Sequence, residues 1–309
     1  MHLHENNLYG RKVFFLYPTI DFQNTVIEGL FKLEYEVYSI HELSQAKNLL
    51  RQYPDSICFI NIDSELPSQQ WLNFIHSFEL DPVLSTIFLG IISSKNRDKD
   101  RELFFFNAII PAGFISTVAT YEELIATFVQ ILDLNGAKGR RNYIRIDCST
   151  DRYSFVKFKF GSKSYGIRIK DISSGGFSVD IPARYGYRVK NDMFLRSCTL
   201  KLINKSFTEP ATIVIIKPFS DKIHIVFLFL KAMAYKNKSI IRSYIRNRLN
   251  IKNTELLKGC IPDSYDYSVA PEIPGIQEDI FMLTPNEDFI EELPVVDEKA
   301  LQFLQTSND

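Results

Sequence analysis

The chain has 309 residues, more than the roughly 100–200 of a typical domain, so its length favours two domains with separate cores. Hydrophobic residues make up 45% of the sequence, which excludes a largely disordered protein. No apolar run approaches the ~20 residues that span a bilayer, and the first residues lack the apolar core of a signal peptide. We therefore expect a cytoplasmic protein that does not insert into a membrane.

Charge is distributed unevenly along the chain. The net charge is −1, yet the residues from Asn253 onward contain thirteen acidic residues and only two lysines. The tail therefore carries a charge of about −11 and the preceding residues about +10. This division predicts a basic body that the acidic tail could shield.

The reactive residue types form no recognisable catalytic or metal-binding pattern. The four cysteines are far apart and form no CxxC pair, which predicts neither a zinc site nor a disulfide framework. Single histidines occur without partner motifs, and no GxSxG, HExxH or Walker-type loop is present. We expect a protein that is not an enzyme and that holds no metal or other cofactor.

Residues 1–134 are predicted to form an α/β domain. Short apolar runs alternate with amphipathic helical patterns, which is typical of a doubly wound parallel sheet covered by helices on both faces. The predicted strands are residues 12–17, 35–40, 56–62, 86–93 and 109–115, the last of them interrupted by Pro111.

This order of elements resembles the receiver domain of two-component signalling. Asp63 follows the third strand at the position of a receiver's phosphoacceptor, and Pro67 follows it at the receiver spacing. The acidic pair that would hold Mg²⁺ after the first strand is absent, and so is the lysine after the fifth strand. The domain therefore resembles a degenerate receiver. Asp63 is interpreted first as a strand-end capping residue and second as a vestigial phosphoacceptor.

Residues 135–252 change to a nearly continuous succession of strands. Alternating polar and apolar residues predict six strands and then a helix over residues 239–249. Such short strands with tight polar connections favour a closed antiparallel barrel. The strands are residues 153–160, 165–172, 177–181, 194–203, 211–217 and 222–230.

Two motifs flank the first strands of this second domain. An arginine cluster precedes them, and an Asp-x-Ser-x-x-Gly turn lies between two of them. The residues are Arg140, Arg141 and Arg145 in the first motif, and Asp171, Ser173 and Gly176 in the second. Together they match RRxxxR and (D/N)xSxxG, so the segment resembles a PilZ domain, the bacterial receptor module for cyclic di-GMP.

The resemblance implies cyclic di-GMP as the ligand of these six residues. An arginine fork can donate two parallel hydrogen bonds to guanine O6 and N7 or pair with phosphate. Asp171 would accept from guanine N–H groups, and Ser173 would offer a small hydroxyl. Gly176 would allow close backbone approach or a positive φ. Ile144 is predicted to be an apolar switch residue whose packing changes when the arginine segment wraps the ligand.

Taken separately, the motifs have simpler explanations as a solvated basic linker and a tight polar turn. Taken together, they predict a cyclic di-GMP effector that relays the second-messenger level to a protein partner through an interdomain change. The expected partner belongs to the motility or envelope machinery, and no nucleic acid is expected. The alternatives are a phosphorylation-controlled adaptor that uses Asp63 and an interaction scaffold that binds no nucleotide.

Residues 253–309 are predicted to form an acidic, proline-containing tail. Its composition disfavours long regular structure, although apolar groups recur in it and a short helix is expected over residues 297–305. Two interpretations stay open. The tail follows the protein's own surface near the basic helix at residues 242–248, or it docks on a partner.

Overall fold

The computed structural model describes residues 9–95, 98–160 and 163–271. Both predicted sheets lie within one compact unit that extends to Pro271. Most of the acidic tail, including the helix expected over residues 297–305, lies outside the described residues.

The first sheet has five parallel strands in the order β2-β1-β3-β4-β5, which confirms the doubly wound fold. The last strand begins later than predicted, because the chain turns at Gly113, whose φ is +80° and whose N–H donates to the carbonyl of Ile110. The strands are β1 Val13–Leu16, β2 Val37–Ile40, β3 Ile57–Asn61, β4 Phe88–Ser93 and β5 Phe114–Ser116.

Helices cover both faces of this sheet. Helix α1 has three pieces, Ile20–Phe22, a π-helical turn Gln23–Ile27 and Glu28–Lys32. The core beneath the helices is aromatic, and the Phe128 ring meets Phe15 and Phe59 edge-on at centroid distances of 5.5 and 5.0 Å. The other helices are α2 Leu43–Arg51, α3 Ser68–Glu79, α4 Asp98–Asn107 and α5 Tyr121–Leu134.

The second sheet is a closed antiparallel barrel of six strands, as predicted. Closure occurs because β8 pairs with β9 as well as with β7. Its core contains the stacked rings of Phe177 and Phe227, whose centroids are 4.6 Å apart. The strands are β7 Phe155–Phe160, β8 Lys163–Ser173, β9 Gly176–Pro182, β10 Phe194–Leu202, β11 Lys205–Pro218 and β12 Lys222–Phe229.

An additional short strand, β6 Arg145–Asp147, was not predicted. It pairs antiparallel with the end of β8, with Arg145 opposite Ser173 and Asp147 opposite Asp171. Three residues are too few to display an alternating pattern in the sequence. The pairing matters because it attaches the arginine segment to the outside of the barrel.

Helix α6 Tyr235–Leu257 follows the barrel and extends beyond the predicted residues 239–249 at both ends. Its Tyr244 hydroxyl donates to Asp151 Oδ2 at 2.7 Å, which fixes the helix to the barrel. Its opposite side meets the first sheet's helices, where Arg246 pairs with Glu28 and lies over the Phe31 ring at 4.3 Å. The helix thus contacts both sheets' domains.

Residues 258–271, which we call the strap, cross α2 and α3. Lys47 is 4% exposed, and its Nζ lies 3.3 Å from Asp263 Oδ2 and 4.8 Å from the centroid of Tyr267. Burial lowers the pKa of Lys47, and the charge of Asp263 opposes this effect. The Asn73 amide donates to the Tyr267 carbonyl at 2.9 Å. This part of the tail follows the protein's own surface, on α2 and α3 rather than along residues 242–248.

Among the helices that the structure describes, none combines the length and the apolar composition that crossing a membrane requires.

Candidate functional site

The two sequence motifs meet at the pairing of β6 with β8. Arg145 Nη1 lies 3.2 Å from Asp171 Oδ1, and both side chains are partly exposed. Asp171 Oδ1 is itself buried and has no hydrogen bond of good geometry within the described residues. A buried acceptor without a hydrogen bond is costly. The Arg145 guanidinium, 3.2 Å away, is the cation paired with this oxygen.

Ser173 and Gly176 close the turn between β8 and β9. Ser173 is buried, and its hydroxyl donates to the Gly176 carbonyl at 3.2 Å. A Cβ at Gly176 would lie 2.1 Å from the carbonyl oxygen of Phe227. Of the two reasons considered for this glycine, close backbone approach applies and a positive φ does not. Both residues hold the hairpin that carries Asp171.

The other two arginines precede β6 in a loop. Arg140 is exposed, whereas Arg141 is half-buried with its guanidinium 4.3 Å from the centroid of the Tyr9 ring. Within the described residues, neither of these two side chains pairs with Asp171, which pairs with Arg145 instead. Tyr9 carried no signal in the sequence, since a single aromatic residue near the N-terminus belongs to no motif.

A glutamate of the first domain joins both motifs. Glu34 Oε2 accepts from the Ile144 backbone N–H at 3.1 Å, and Oε1 accepts from the Ser174 hydroxyl at 2.5 Å. Arg242 of α6 completes the cluster, with its Nη2 3.0 Å from Glu34 Oε1. Glu34 lies in the turn after α1 with a φ of +68°, and its side chain is 10% exposed. Sequence reasoning missed it, because its contacts depend on how α1 meets the barrel.

Ile144, the expected switch residue, is 7% exposed and belongs to the hydrophobic core. The ring of its neighbour Tyr143 covers Gly175 so closely that a Cβ there would lie 2.4 Å from a ring carbon. The arginine segment is therefore packed down on the β8–β9 turn between its charged ends. Whether Ile144 changes its packing stays a prediction.

Three basic side chains of the barrel surround the carboxylate of Asp180. His224 Nδ1 lies 2.7 Å from it, Lys222 Nζ 2.9 Å and Lys170 Nζ 3.5 Å. Burial alone would raise the pKa of Asp180, but hydrogen bonds from His224 and Lys222 outweigh it and lower that pKa. Asp180 thus offsets part of the positive charge of these basic side chains.

Asp63 occupies a different place, at the end of β3. Its carboxylate accepts from the Ser93 hydroxyl at 2.7 Å and from the Ser94 N–H and hydroxyl at 2.6 and 2.7 Å. The residue at the end of β1 is Tyr17, which offers no carboxylate. Across the described ranges, no group of three or more His, Cys, Asp or Glu side chains is arranged to hold a metal ion. The geometry favours the capping interpretation of Asp63.

We expect Asp63→Asn to lower the free energy of unfolding at neutral pH and to reduce its loss in acid. Burial alone would raise the pKa of Asp63, but the hydrogen bonds of Ser94 and Ser93 lower it below 3.8. The stabilisation is therefore complete above the unfolded pKa and is lost as pH falls through the lower folded value. Urea unfolding from pH 7 to below pH ~4 measures this.

In that experiment the difference between wild type and Asp63→Asn should shrink as the pH falls. Glu102→Gln, at an exposed carboxylate of α4, provides the control and should change the free energy of unfolding little. A constant difference across the acid range would contradict the assignment of Asp63 as an ionised cap.

No family model and no curated protein matches the sequence. Similar solved structures include Escherichia coli YcgR in complex with c-di-GMP, at 17% identity over 39% of this chain with a TM-score of 0.33. The Bacillus subtilis inhibitor of motility MotI/DgrA is similar at 19% identity over 37% of this chain, with a TM-score of 0.31. The chain covers about half of each of these two proteins, 51% and 53%.

A response regulator from Desulfuromonas acetoxidans is also similar, at 14% identity with a TM-score of 0.33. The match covers 40% of this chain and 98% of the response regulator. The bound c-di-GMP belongs to the YcgR structure.

Proposed function

We propose that this protein is a cyclic di-GMP effector that holds its ligand on the outside of the barrel, between the arginine segment and β8. The observation that supports this most is the pairing of β6 with β8, which brings Arg145 within 3.2 Å of Asp171. Each motif alone is commonplace, but here an arginine fork and a partly exposed carboxylate lie side by side as an ion pair. No cofactor is required for this function.

The chemistry of the ligand fits these groups. Cyclic di-GMP presents guanine edges with both acceptors and donors, and two anionic phosphates. Arg145 would donate to guanine O6 and N7 or to phosphate, and Asp171 would accept from guanine N1 and N2. Arg140 and Arg141 would leave solvent and Tyr9 to enclose the ligand from the other side.

Relay to a protein partner is the second part of the proposal. The arginine segment lies at the boundary between the first domain and the barrel, so its movement would change contacts that both domains share. The partner would be a component of the motility or envelope machinery that recognises the changed surface.

The alternative through phosphorylation of Asp63 has weaker support. The carboxylate of Asp63 is already engaged by Ser93 and Ser94, and the position after β1 is occupied by Tyr17. A phosphoacceptor would need an exposed oxygen and acidic neighbours that hold Mg²⁺.

Isothermal titration of the purified full chain with cyclic di-GMP tests the proposal. We expect saturable binding of cyclic di-GMP and at least about tenfold weaker binding of cyclic di-AMP. Adenine lacks O6 and the N1 and N2 donors, so Asp171 would lose its partners and the arginine fork one of its two base acceptors. Absence of cyclic di-GMP binding, or equal binding of both dinucleotides, would overturn the proposed function.

A further inference from the structure

Glu34 links the first domain to both halves of the proposed ligand site. Its two oxygens receive hydrogen bonds from Ile144, one residue before Arg145, and from Ser174, one residue after Ser173. Arg242 neutralises the carboxylate from α6. A single side chain of the turn after α1 thus fixes the arginine segment and the β8–β9 turn to the same point.

Replacing these contacts with contacts to water costs free energy, because the groups are buried. The Glu34 side chain is 10% exposed and Ser174 is 5% exposed, so the cluster lies within the boundary between the domains. A carboxylate at such a depth requires its donors, and each donor that leaves must be replaced. We call these contacts to Ile144, Ser174 and Arg242 the clamp.

In the structure, the groups of the proposed site contact residues of the protein itself. Arg145 is paired with Asp171, and Arg141 is stacked on Tyr9. Asp171 and Ser173 belong to a strand of the closed barrel, so the arginine loop is the part that must move to enclose a ligand. Movement of that loop pulls on Ile144, whose N–H is held by Glu34.

Charge acts in the same direction as this mechanical restraint. The phosphates of the ligand would approach the β8–β9 turn, where the carboxylate of Glu34 is bound to Ser174. Arg242 offsets much of the repulsion between the carboxylate and a phosphate, but both anions compete for the same donors, Ser174 and Arg242.

We infer that Glu34 restrains the ligand-free site and that ligand binding releases its contacts to Ile144 and Ser174, which frees the first domain from the barrel at this point. This inference rests on the proposed function, since it names how that site is regulated. By linkage, removing the contacts of Glu34 should strengthen ligand binding by the same factor by which bound ligand weakens those contacts.

Titration of cyclic di-GMP into Glu34→Gln and Glu34→Ala tests the restraint. Glu34→Ala should bind the ligand about tenfold more tightly than wild type, a typical size for coupling between sites. Glu34→Gln keeps one acceptor oxygen and should tighten binding by a smaller factor. The glutamine variant keeps the side-chain volume, so it remains informative if the alanine variant folds poorly. Circular dichroism and thermal unfolding establish that each variant is folded.

Glu28→Gln is the matched control, because Glu28 also pairs with an arginine of α6 but contacts neither motif. It should bind cyclic di-GMP like wild type. Equal tightening by Glu28→Gln would assign the effect to domain docking in general and overturn the role of Glu34. Amide exchange at Ile144 without ligand should accelerate in Glu34→Ala and not in Glu28→Gln.

Failure of the inference and failure of the proposed function are distinguishable. If wild type does not bind cyclic di-GMP, the proposed function itself is wrong. If wild type binds and the Glu34 variants bind equally or more weakly, the proposed function stands and the restraint is wrong.

Discussion

Replacement of both Arg141 and Arg145 by alanine is expected to weaken cyclic di-GMP binding by about 10²- to 10⁴-fold. A hydrogen bond to a charged group contributes about 1.5–3 kcal/mol, and each arginine supplies at least one to the ligand in the proposed complex. Loss of Arg145 also leaves Asp171 without the cation that lies 3.2 Å from it. Calorimetric titration of the double variant measures the effect.

Arg145→Lys separates the geometry of this contact from its charge. Lysine keeps the positive charge but loses the planar fork that matches guanine or phosphate in two bonds. We expect Arg145→Lys to bind cyclic di-GMP more weakly than wild type and more tightly than Arg145→Ala. Arg152→Ala combined with Arg196→Ala removes the same charge from exposed positions elsewhere on the barrel domain and should change affinity little. Undiminished binding by the Arg141 and Arg145 double variant would contradict the assignment.

Replacement of Gly176 by alanine is expected to destabilise the protein by about 3 kcal/mol or more, the upper part of the range for overpacking. The added Cβ would lie 2.1 Å from the carbonyl oxygen of Phe227, and a backbone atom cannot move aside as a flexible side chain can. Gly176 pairs with Leu228 of β12, so relief of the clash requires separating β9 from β12 and opening the barrel.

Gly166→Ala is the matched control for this substitution. Gly166 lies in the neighbouring strand β8, and a Cβ there would meet its nearest atom, Lys157 Cγ, at 3.8 Å. Alanine in a strand loses less conformational entropy on folding than glycine, so this change should be neutral or stabilise by up to about 1 kcal/mol. Urea unfolding followed by circular dichroism compares the two variants. Equal stability of both would show that the strand contact at Gly176 yields easily.

Much of the fold follows from periodicity in the sequence. The alternation of apolar runs with helical patterns predicted the parallel sheet, and the alternating residues after it predicted the six-stranded barrel. The errors include two short or interrupted patterns, and β11 and α6 are longer than predicted. Strand β6 has three residues, and β5 begins only at Phe114 because the preceding chain turns at Gly113.

The residues of the candidate site were named from the sequence, and their role in binding stays a prediction. The motif positions identified Arg145 and Asp171, and their ion pair follows once β6 pairs with β8. Glu34 and Tyr9 were not predictable, because their contacts join parts of the chain that are distant in sequence. Such contacts arise from the docking of α1 and the N-terminal segment, which no local pattern encodes.

The strap gives the order of protein synthesis a physical meaning. Lys47 and Phe74 of the first domain are covered by Asp263 and Tyr267, which leave the ribosome only after the whole barrel has been made. Domains generally fold as units in order of synthesis. Here the surface around Lys47 and Phe74 stays uncovered until Asp263 and Tyr267, which follow the barrel in the chain, have been synthesised. A chain that stops before Asp263 would therefore leave Lys47 and Phe74 without these contacts.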